Sequence, residues 1–138
     1  MSVYKEIKTE FRNPQSLLAA LGDLFIIPQC ANSRENITKL ISHWHNNHPQ
    51  DVAIAINRED ALRAGLGNYD GLGFRWIGDG YAVVQDQLDA KSTGITNQMN
   101  KLKQRYAFHE VVRQAKSKGY TVHTIEENGT LRLTLRAR

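Results

Sequence analysis

The sequence lacks the features of a secreted, membrane-spanning or disulfide-stabilised protein. Cys30 is the single cysteine, so an intrachain disulfide and a thiolate metal cluster are both excluded. No apolar run approaches the roughly 18 residues that a bilayer-spanning helix needs. The first eight residues carry charges where a secretion signal would have its apolar segment. We therefore expect a protein that has no membrane segment and remains in the reducing compartment that makes it.

Cofactor signatures are absent as well. Six of the ten glycines lie between residues 65 and 80, but they lack both the spacing of a dinucleotide fingerprint and the Gly-Lys-Ser/Thr of a phosphate-binding loop. We therefore expect no cofactor. The chain has 138 residues, of which 41% are hydrophobic and 23% charged, as in ordinary globular proteins. These values predict a single domain over residues 1–138 with its own core.

Positive charge is concentrated in the last third of the chain. Residues 1–90 contain 8 Lys/Arg and 11 Asp/Glu, a net charge of −3, whereas residues 91–138 contain 10 and 3, a net charge of +7. Clustered cations gain free energy at a phosphate backbone by releasing its counterions. The asymmetry therefore indicates a polyanionic partner, such as nucleic acid or an acidic protein.

The first half of the chain predicts a strand and then helices. Val3, Ile7 and Phe11 lie on one side of an extended segment, which indicates a half-buried first strand. Asn13-Pro14 is a typical helix start. Helical spacing continues after it through Leu17, Leu18, Leu21 and Phe25. Residues 28–50 are ambiguous, but a second helix is predicted by the spacing of Ile37, Leu40, Ile41 and Trp44.

The second half predicts two hairpins around a long helix. Residues 51–57 suit a buried strand, and residues 74–77 and 81–84 flank Gly78-Asp79-Gly80 as the arms of a hairpin. A long helix should begin near Thr93 or Thr96 and end at Lys118, before Gly119. Asn128-Gly129 then predicts a last hairpin, with Leu131, Leu133 and Leu135 facing the core and Arg132, Thr134 and Arg136 facing outward.

These elements predict an α+β fold. The order β-α-(α)-β-β-β-α-β-β, rich in hairpin connections, favours a mainly antiparallel sheet of about five to six strands with two or three helices on one face. The long helix has one irregularity, because its apolar stripe moves to another side near Tyr106. Either the helix kinks there, or different elements cover its two halves, which could include another subunit.

Two motifs resemble those of a known family. Residues 69–81 read YDGLGFRWIGDGY and residues 104–109 read QRYAFH, in an order and spacing similar to the family of hypothetical chloroplast reading frame thirty-five. Residues 28–50 depart from that pattern, and Gln87-Leu88 stands where the family commonly has two tryptophans. The resemblance implies a cyanobacterial, plastid or cyanophage setting, with the protein in the cytoplasm or plastid stroma. It supplies no activity, since this is a domain of unknown function.

Two sets of side chains invite a catalytic or metal-binding interpretation. His43, His45 and His48 are dense in sequence, but on a helix His43 would point about 160° away from His45, so the sequence predicts no metal site. The second set comprises Asp70, Asp79 and Asp86, with His109 as a proton carrier. Each also has a simpler interpretation: Asp79 between two glycines fits a turn, and Asp70 could cap or brace a turn.

The basic C-terminal third supplies the candidate binding surface. Its members are Lys101, Arg105, His109, Arg113, Lys116, Arg132 and Arg136. Arg105 and His109 are neighbours one turn apart on the long helix and could form an anion site with Tyr106. The alternative is structural: Tyr106 packs in the core, His109 makes one internal hydrogen bond, and Arg105 pairs with a carboxylate such as Asp70 or Asp79.

Three hypotheses for function follow. The first is a non-enzymatic binding module that uses the basic surface to contact nucleic acid or another polyanion. The second is a protein-interaction or homo-oligomeric assembly subunit that uses the displaced apolar face of the long helix. The third is a small enzyme that works through Asp70, Asp79 and His109.

Overall fold

A computed structural model describes residues 3–29, 34–44 and 48–137 of the chain. Cys30 and His45 lie outside these ranges. The strands are β1 (Tyr4–Lys8), β2 (Thr38–Leu40), β3 (Gln50–Val52), β4 (Ile54–Ile56), β5 (Leu72–Trp76), β6 (Tyr81–Asp86), β7 (Tyr120–Glu127) and β8 (Thr130–Ala137). The helices are α1 (Pro14–Asp23), α2 (Arg58–Ala64), α3 (Gln87–Ala90) and α4 (Thr93–Ser117).

The strands form three antiparallel sheets. The largest has four strands in the order β1-β6-β5-β4, and β2-β3 and β7-β8 each form a two-stranded sheet. This confirms the α+β class and the mainly antiparallel pairing, although the strands are divided among three sheets. The hairpins predicted around Gly78-Asp79-Gly80 and Asn128-Gly129 are both present.

Both faces of the four-stranded sheet are covered. On one face, α1 and α4 enclose a core that includes Phe11, Leu17, Phe74 and Leu102. A smaller cluster on the other side of β6 joins Val84 to Leu40 of β2 and Val52 of β3. Every residue of β6 is consequently buried.

The second predicted helix is wrong, because residues 38–40 form strand β2. Thr38 pairs with Val52 and Leu40 pairs with Gln50 of β3. Of the apolar positions that suggested a helix, Leu40 is buried, whereas Ile37 and Ile41 are 67% and 72% exposed. The pairing with β3 satisfies the backbone hydrogen bonds, and the short apolar pattern could not distinguish a helix from a strand. Phe25 also lies beyond α1, 85% exposed, with a φ of 61°.

The long helix α4 has the predicted extent, but the hairpin after it was expected to pack differently. Ser92 caps α4 at its start, and Gly119 follows its end with a φ of 86°. The leucines of β8 were predicted to face the core. Leu133 is half-buried and Leu135 is 45% exposed. The reason is that β7 and β8 form a sheet of their own, outside the four-stranded sheet.

Tyr106 ties α4 to the junction between β1 and α1. Its hydroxyl oxygen accepts hydrogen bonds from the backbone N–H groups of Arg12 and Asn13, at 2.9 and 3.0 Å. Its ring packs edge-on against Phe11, with the ring centroids 4.9 Å apart. A buried phenol that satisfies two backbone donors fixes where the helix crosses the sheet.

A second contact joins the same two helices further along. Ser16 Oγ donates a 2.5 Å hydrogen bond to Glu110, and the Arg113 guanidinium donates to both carboxylate oxygens of Glu110 at 2.9 and 3.1 Å. Hydrogen bonds from Arg113 hold the pKa of Glu110 below its usual value; the Ser16 bond acts in the same direction, and partial burial opposes both.

We predict that Gly71→Ala destabilises the fold by about 3 kcal/mol, because overpacking a site with no room forces backbone shifts. A Cβ at Gly71 would lie 2.2 Å from the carbonyl oxygen of Ile56. Urea unfolding would measure the change. Gly22→Ala is the matched control: nothing lies within 4 Å of its Cβ position in α1, so it should be neutral or stabilising. Equal stability of the two variants would contradict this packing argument.

We predict that Glu110→Gln lowers stability by about 1 kcal/mol at neutral pH, and that the difference from the unchanged protein shrinks below about pH 4. A carboxylate whose pKa is lowered by folding stabilises above its unfolded pKa and loses that contribution as the pH falls through its folded pKa. Unfolding curves from pH 7 to pH 3 would test this. Glu10→Gln is the control, since Glu10 is 94% exposed. A difference that stays constant with pH would refute the assignment.

Candidate binding surface of the C-terminal helix and hairpin

Three of the seven candidate cations pair with carboxylates. Arg105 lies 3.2 Å from Glu126 and 4.0 Å from Asp23, and His109 Nε2 lies 2.7 Å from the same Asp23. Arg113 pairs with Glu110 as described above. The Arg105 and His109 contacts connect α4 to the end of α1 and to β7. These side chains therefore stabilise the arrangement of α4, and their polar groups already contact carboxylates within the chain.

The other four candidates are exposed and form no ion pair with a described residue. They are Lys101, Lys116, Arg132 and Arg136. Lys116 lies in the last turn of α4, close in sequence to the start of β7, where Thr121 is paired with Arg136. Lys101 is 15 residues earlier on α4, or about 22 Å along the helix axis. Lys116 is thus near the hairpin in sequence, whereas Lys101 lies in the first half of α4.

The β7-β8 hairpin has two different faces. Glu126 contacts Arg105 of α4, and Leu133 lines a groove against α4, so these residues mark the inner face. Side chains alternate between the faces along each strand. Arg132, Thr134 and Arg136 therefore lie on the outer face. They are paired in register with Ile125, His123 and Thr121 of β7. The outward ladder predicted for the last strand is confirmed.

The inner face of the hairpin and α4 enclose an open apolar groove of about 480 Å³. Its lining includes Ala107, Phe108 and Val111 of α4 and Leu133 of β8. Around it, Val111 is 44% and Leu135 45% exposed. This accounts for the shift of the apolar stripe on α4: the first half of the helix packs in the main core, and the second half meets the hairpin.

The candidate catalytic residues each have a separate partner. Asp70 is fully buried and accepts hydrogen bonds from Ser42 Oγ at 2.7 Å and from the His43 backbone N–H at 3.0 Å. Asp79 lies in the exposed β5-β6 turn, 3.4 Å from Lys8. His109 of α4 pairs with Asp23 at the end of α1, as described above. Asp86 is buried and caps α3 through the backbone N–H of Leu88.

One buried carboxylate was missed by the sequence reasoning. Asp89 in α3 is 1% exposed and accepts hydrogen bonds from the backbone N–H groups of Asn68, Tyr69 and Asp70. It holds residues 68–70, where the motif of residues 69–81 begins, and thereby positions Asp70. The contact spans about twenty residues of sequence between a loop and a short helix, so no local pattern could have revealed it.

Neither a metal site nor a membrane span occurs in the described part of the chain. Residues 3–29, 34–44 and 48–137 contain no group of three His, Cys, Asp or Glu side chains placed to hold a metal ion. His43 and His48 are exposed, and His45 lies outside the described ranges. No helix within those ranges has both the length and the apolar character needed to cross a bilayer.

Sequence comparisons agree with the resemblance noted from the motifs. Residues 20–134 match the family described as "Protein of unknown function (DUF1257)". An "Uncharacterized protein ycf35" of Guillardia theta is 30% identical over 138 residues, covering 98% of this chain and 96% of that protein. The protein of the same description from Pyropia yezoensis is 27% identical over 121 residues, covering 87% and 83%. No solved structure matches. The chain therefore belongs to the DUF1257 family, which is that of hypothetical chloroplast reading frame thirty-five.

Proposed function

We propose that the protein is a non-enzymatic binding module that contacts nucleic acid through the outer face of its C-terminal hairpin. The observation that carries this proposal is the exposure of Arg132 and Arg136 on a face that does not pack against α4. Lys116, exposed in the last turn of α4, is a further cation close to the hairpin in sequence. The setting we propose is the cytoplasm of a cyanobacterium or the stroma of a plastid, in line with the family's name.

The geometry of the outer face suits a phosphate backbone. Arg132 and Arg136 are four residues apart on one strand, or about 13 Å. Between them lies Thr134, whose hydroxyl can donate to a phosphate oxygen, with His123 opposite it in β7. A two-stranded ribbon of this kind also fits within the major groove of duplex DNA.

The charges elsewhere on the chain support the same region. Arg105, His109 and Arg113 already face carboxylates, so contact with a phosphate would require breaking those ion pairs. Arg132, Arg136 and Lys116 would gain a partner without losing one among the described side chains. The proposed surface is therefore smaller than the seven-residue set and is centred on the hairpin.

We predict that Arg132→Ala combined with Arg136→Ala weakens binding to duplex DNA. The plot of log association constant against log salt concentration should become less steep by about 2, which corresponds to the loss of two phosphate contacts. Fluorescence anisotropy with labelled duplex and single strands, between about 50 and 200 mM salt, would measure it. Binding of the single strands would show whether the phosphate backbone is enough for binding without the groove of a duplex.

The control for this experiment removes the same charge elsewhere. Lys8→Ala with Arg63→Ala deletes two exposed cations that pair with Asp79 and Asp60 in the acidic first ninety residues. We expect this double variant to bind as the unchanged protein does. Equal losses in the two double variants, or no binding of either nucleic acid at the lowest salt, would refute the proposal.

A second candidate function, self-assembly, is favoured by the inner face of the same hairpin. Leu135 and Tyr120 of the hairpin and Val111 of α4 are 45%, 38% and 44% exposed, and no other strand in the described part of the chain pairs with β7 or β8. A two-stranded sheet is marginally stable in water, and its open edges can pair with another chain. A second copy that adds strands at this edge would form a continuous sheet across a two-fold axis.

We predict for this alternative that the unchanged protein is a dimer by light scattering. Leu135→Glu should raise the dissociation constant of that dimer tenfold or more, since burying one leucine contributes about 2 kcal/mol. Thr134→Glu is the matched control, because it places the same charge on the opposite face of β8. A monomeric mass for the unchanged protein at every concentration would exclude self-assembly and would leave the nucleic-acid proposal intact.

A further inference from the structure

The middle of the hairpin's outer face holds a histidine. His123 of β7 is exposed and is paired in register with Thr134 of β8. Arg132 and Arg136 stand two residues to either side of Thr134, so they are the diagonal neighbours of this histidine, and such neighbours in a sheet lie about 7–8 Å apart. An imidazole is thus placed between the two arginines that carry the proposed nucleic-acid contact.

The carboxylates of the hairpin lie away from His123. Glu126 pairs with Arg105 of α4, the helix packed against the inner face, and so belongs to that opposite face. Glu127 is on the outer face but four residues along β7, or about 13 Å away, beside the turn. Among the described residues, no carboxylate forms an ion pair with His123. A proton on His123 would therefore add a third cation to the outer face.

A phosphate at this face would favour that proton. Histidine is the side chain whose charge ordinarily changes between about pH 8 and pH 5. A phosphate held by Arg132 or Arg136 brings negative charge beside the ring, and a negative neighbour favours the protonated imidazole. Both ring nitrogens of the protonated form are donors, so the ring can also donate to a phosphate oxygen. Because linkage is reciprocal, binding and protonation of His123 should each strengthen the other.

We infer that nucleic-acid binding by the outer face is coupled to protonation of His123, so that affinity rises as the pH falls from about 8 to about 5.5. This inference rests on the proposed nucleic-acid contact and adds its regulation by pH. Phosphodiester groups stay ionised throughout this range, and exposed carboxylates ordinarily titrate below it. The protonated histidine then acts as one further phosphate contact beside the two arginines.

The test measures association of the full chain with labelled duplex DNA at about pH 8 and about pH 5.5, over the same range of salt concentrations. Fluorescence anisotropy with a rhodamine label is suitable, because the emission of rhodamine does not change with pH in this range. At the lower pH, one further phosphate contact should raise the association constant up to about eightfold in 0.1 M salt. The plot of log association constant against log salt concentration should become steeper by about 0.9.

Substitutions at the exposed position 123 assign the effect to its charge. His123→Gln is neutral at both pH values and should bind equally at both, with the shallower salt dependence. His123→Lys is charged at both pH values and should show the tighter, steeper binding at both. His48→Gln is the matched control, because His48 is exposed and lies outside the hairpin, and it should keep the full pH effect. Calorimetry in two buffers of different ionisation enthalpy should detect proton uptake on binding, and His123→Gln should lose it.

Failure of this coupling and failure of the nucleic-acid proposal give different results. Binding that depends on Arg132 and Arg136 but is equally strong at both pH values would overturn the coupling and leave the nucleic-acid contact intact. A pH effect of unchanged size in His123→Gln would do the same, because another group would then be its source. Absence of binding at both pH values in the lowest salt would refute the nucleic-acid proposal and the coupling together.

Discussion

The complete burial of β6 is the constraint on which the rest of the structure depends. This strand pairs with β1 on one side and β5 on the other, and its side chains alternate between two faces that must both be kept from water. Helices α1 and α4 cover one face. Strands β2 and β3 cover the other, with Leu40 and Val52 against Val84. The hydroxyl of Tyr106 then fixes α4 to the turn before α1. These contacts complete the core without the C-terminal hairpin.

The hairpin is consequently exposed on its outer face, and no further strand of the described residues pairs with its edges. Its attachment depends on Arg105–Glu126 and on the groove that Leu133 shares with α4. An isolated pair of strands gains little stability in water. A partner that orders this element would therefore act on the least supported part of the fold, and both proposed functions place contact there. The two hypotheses use opposite faces of the hairpin, so a charge placed at Thr134 or at Leu135 separates them.

The distribution of carboxylates decides which charged groups are available to a ligand. The carboxylates of Asp23 and Glu110 contact His109 and Arg113. Those of Asp89 and Asp70 accept hydrogen bonds from the backbone N–H groups of Asn68 and His43. Buried carboxylates with several donors keep a chain in one conformation.

Local patterns in the sequence determined much of the architecture. The cap at Asn13, the length of α4, the turn at Asn128-Gly129 and the outward side of Arg132 all follow from short-range sterics and hydrogen bonding. Contacts between distant residues decided the remainder. Strand β2 forms because residues 50–52 supply its partner. The pairing of His109 with Asp23, separated by 86 residues, is likewise a product of how α1 and α4 cross. Sequence alone located the basic region, but only tertiary packing decided which of its cations remain exposed, since that depends on carboxylates contributed by other elements.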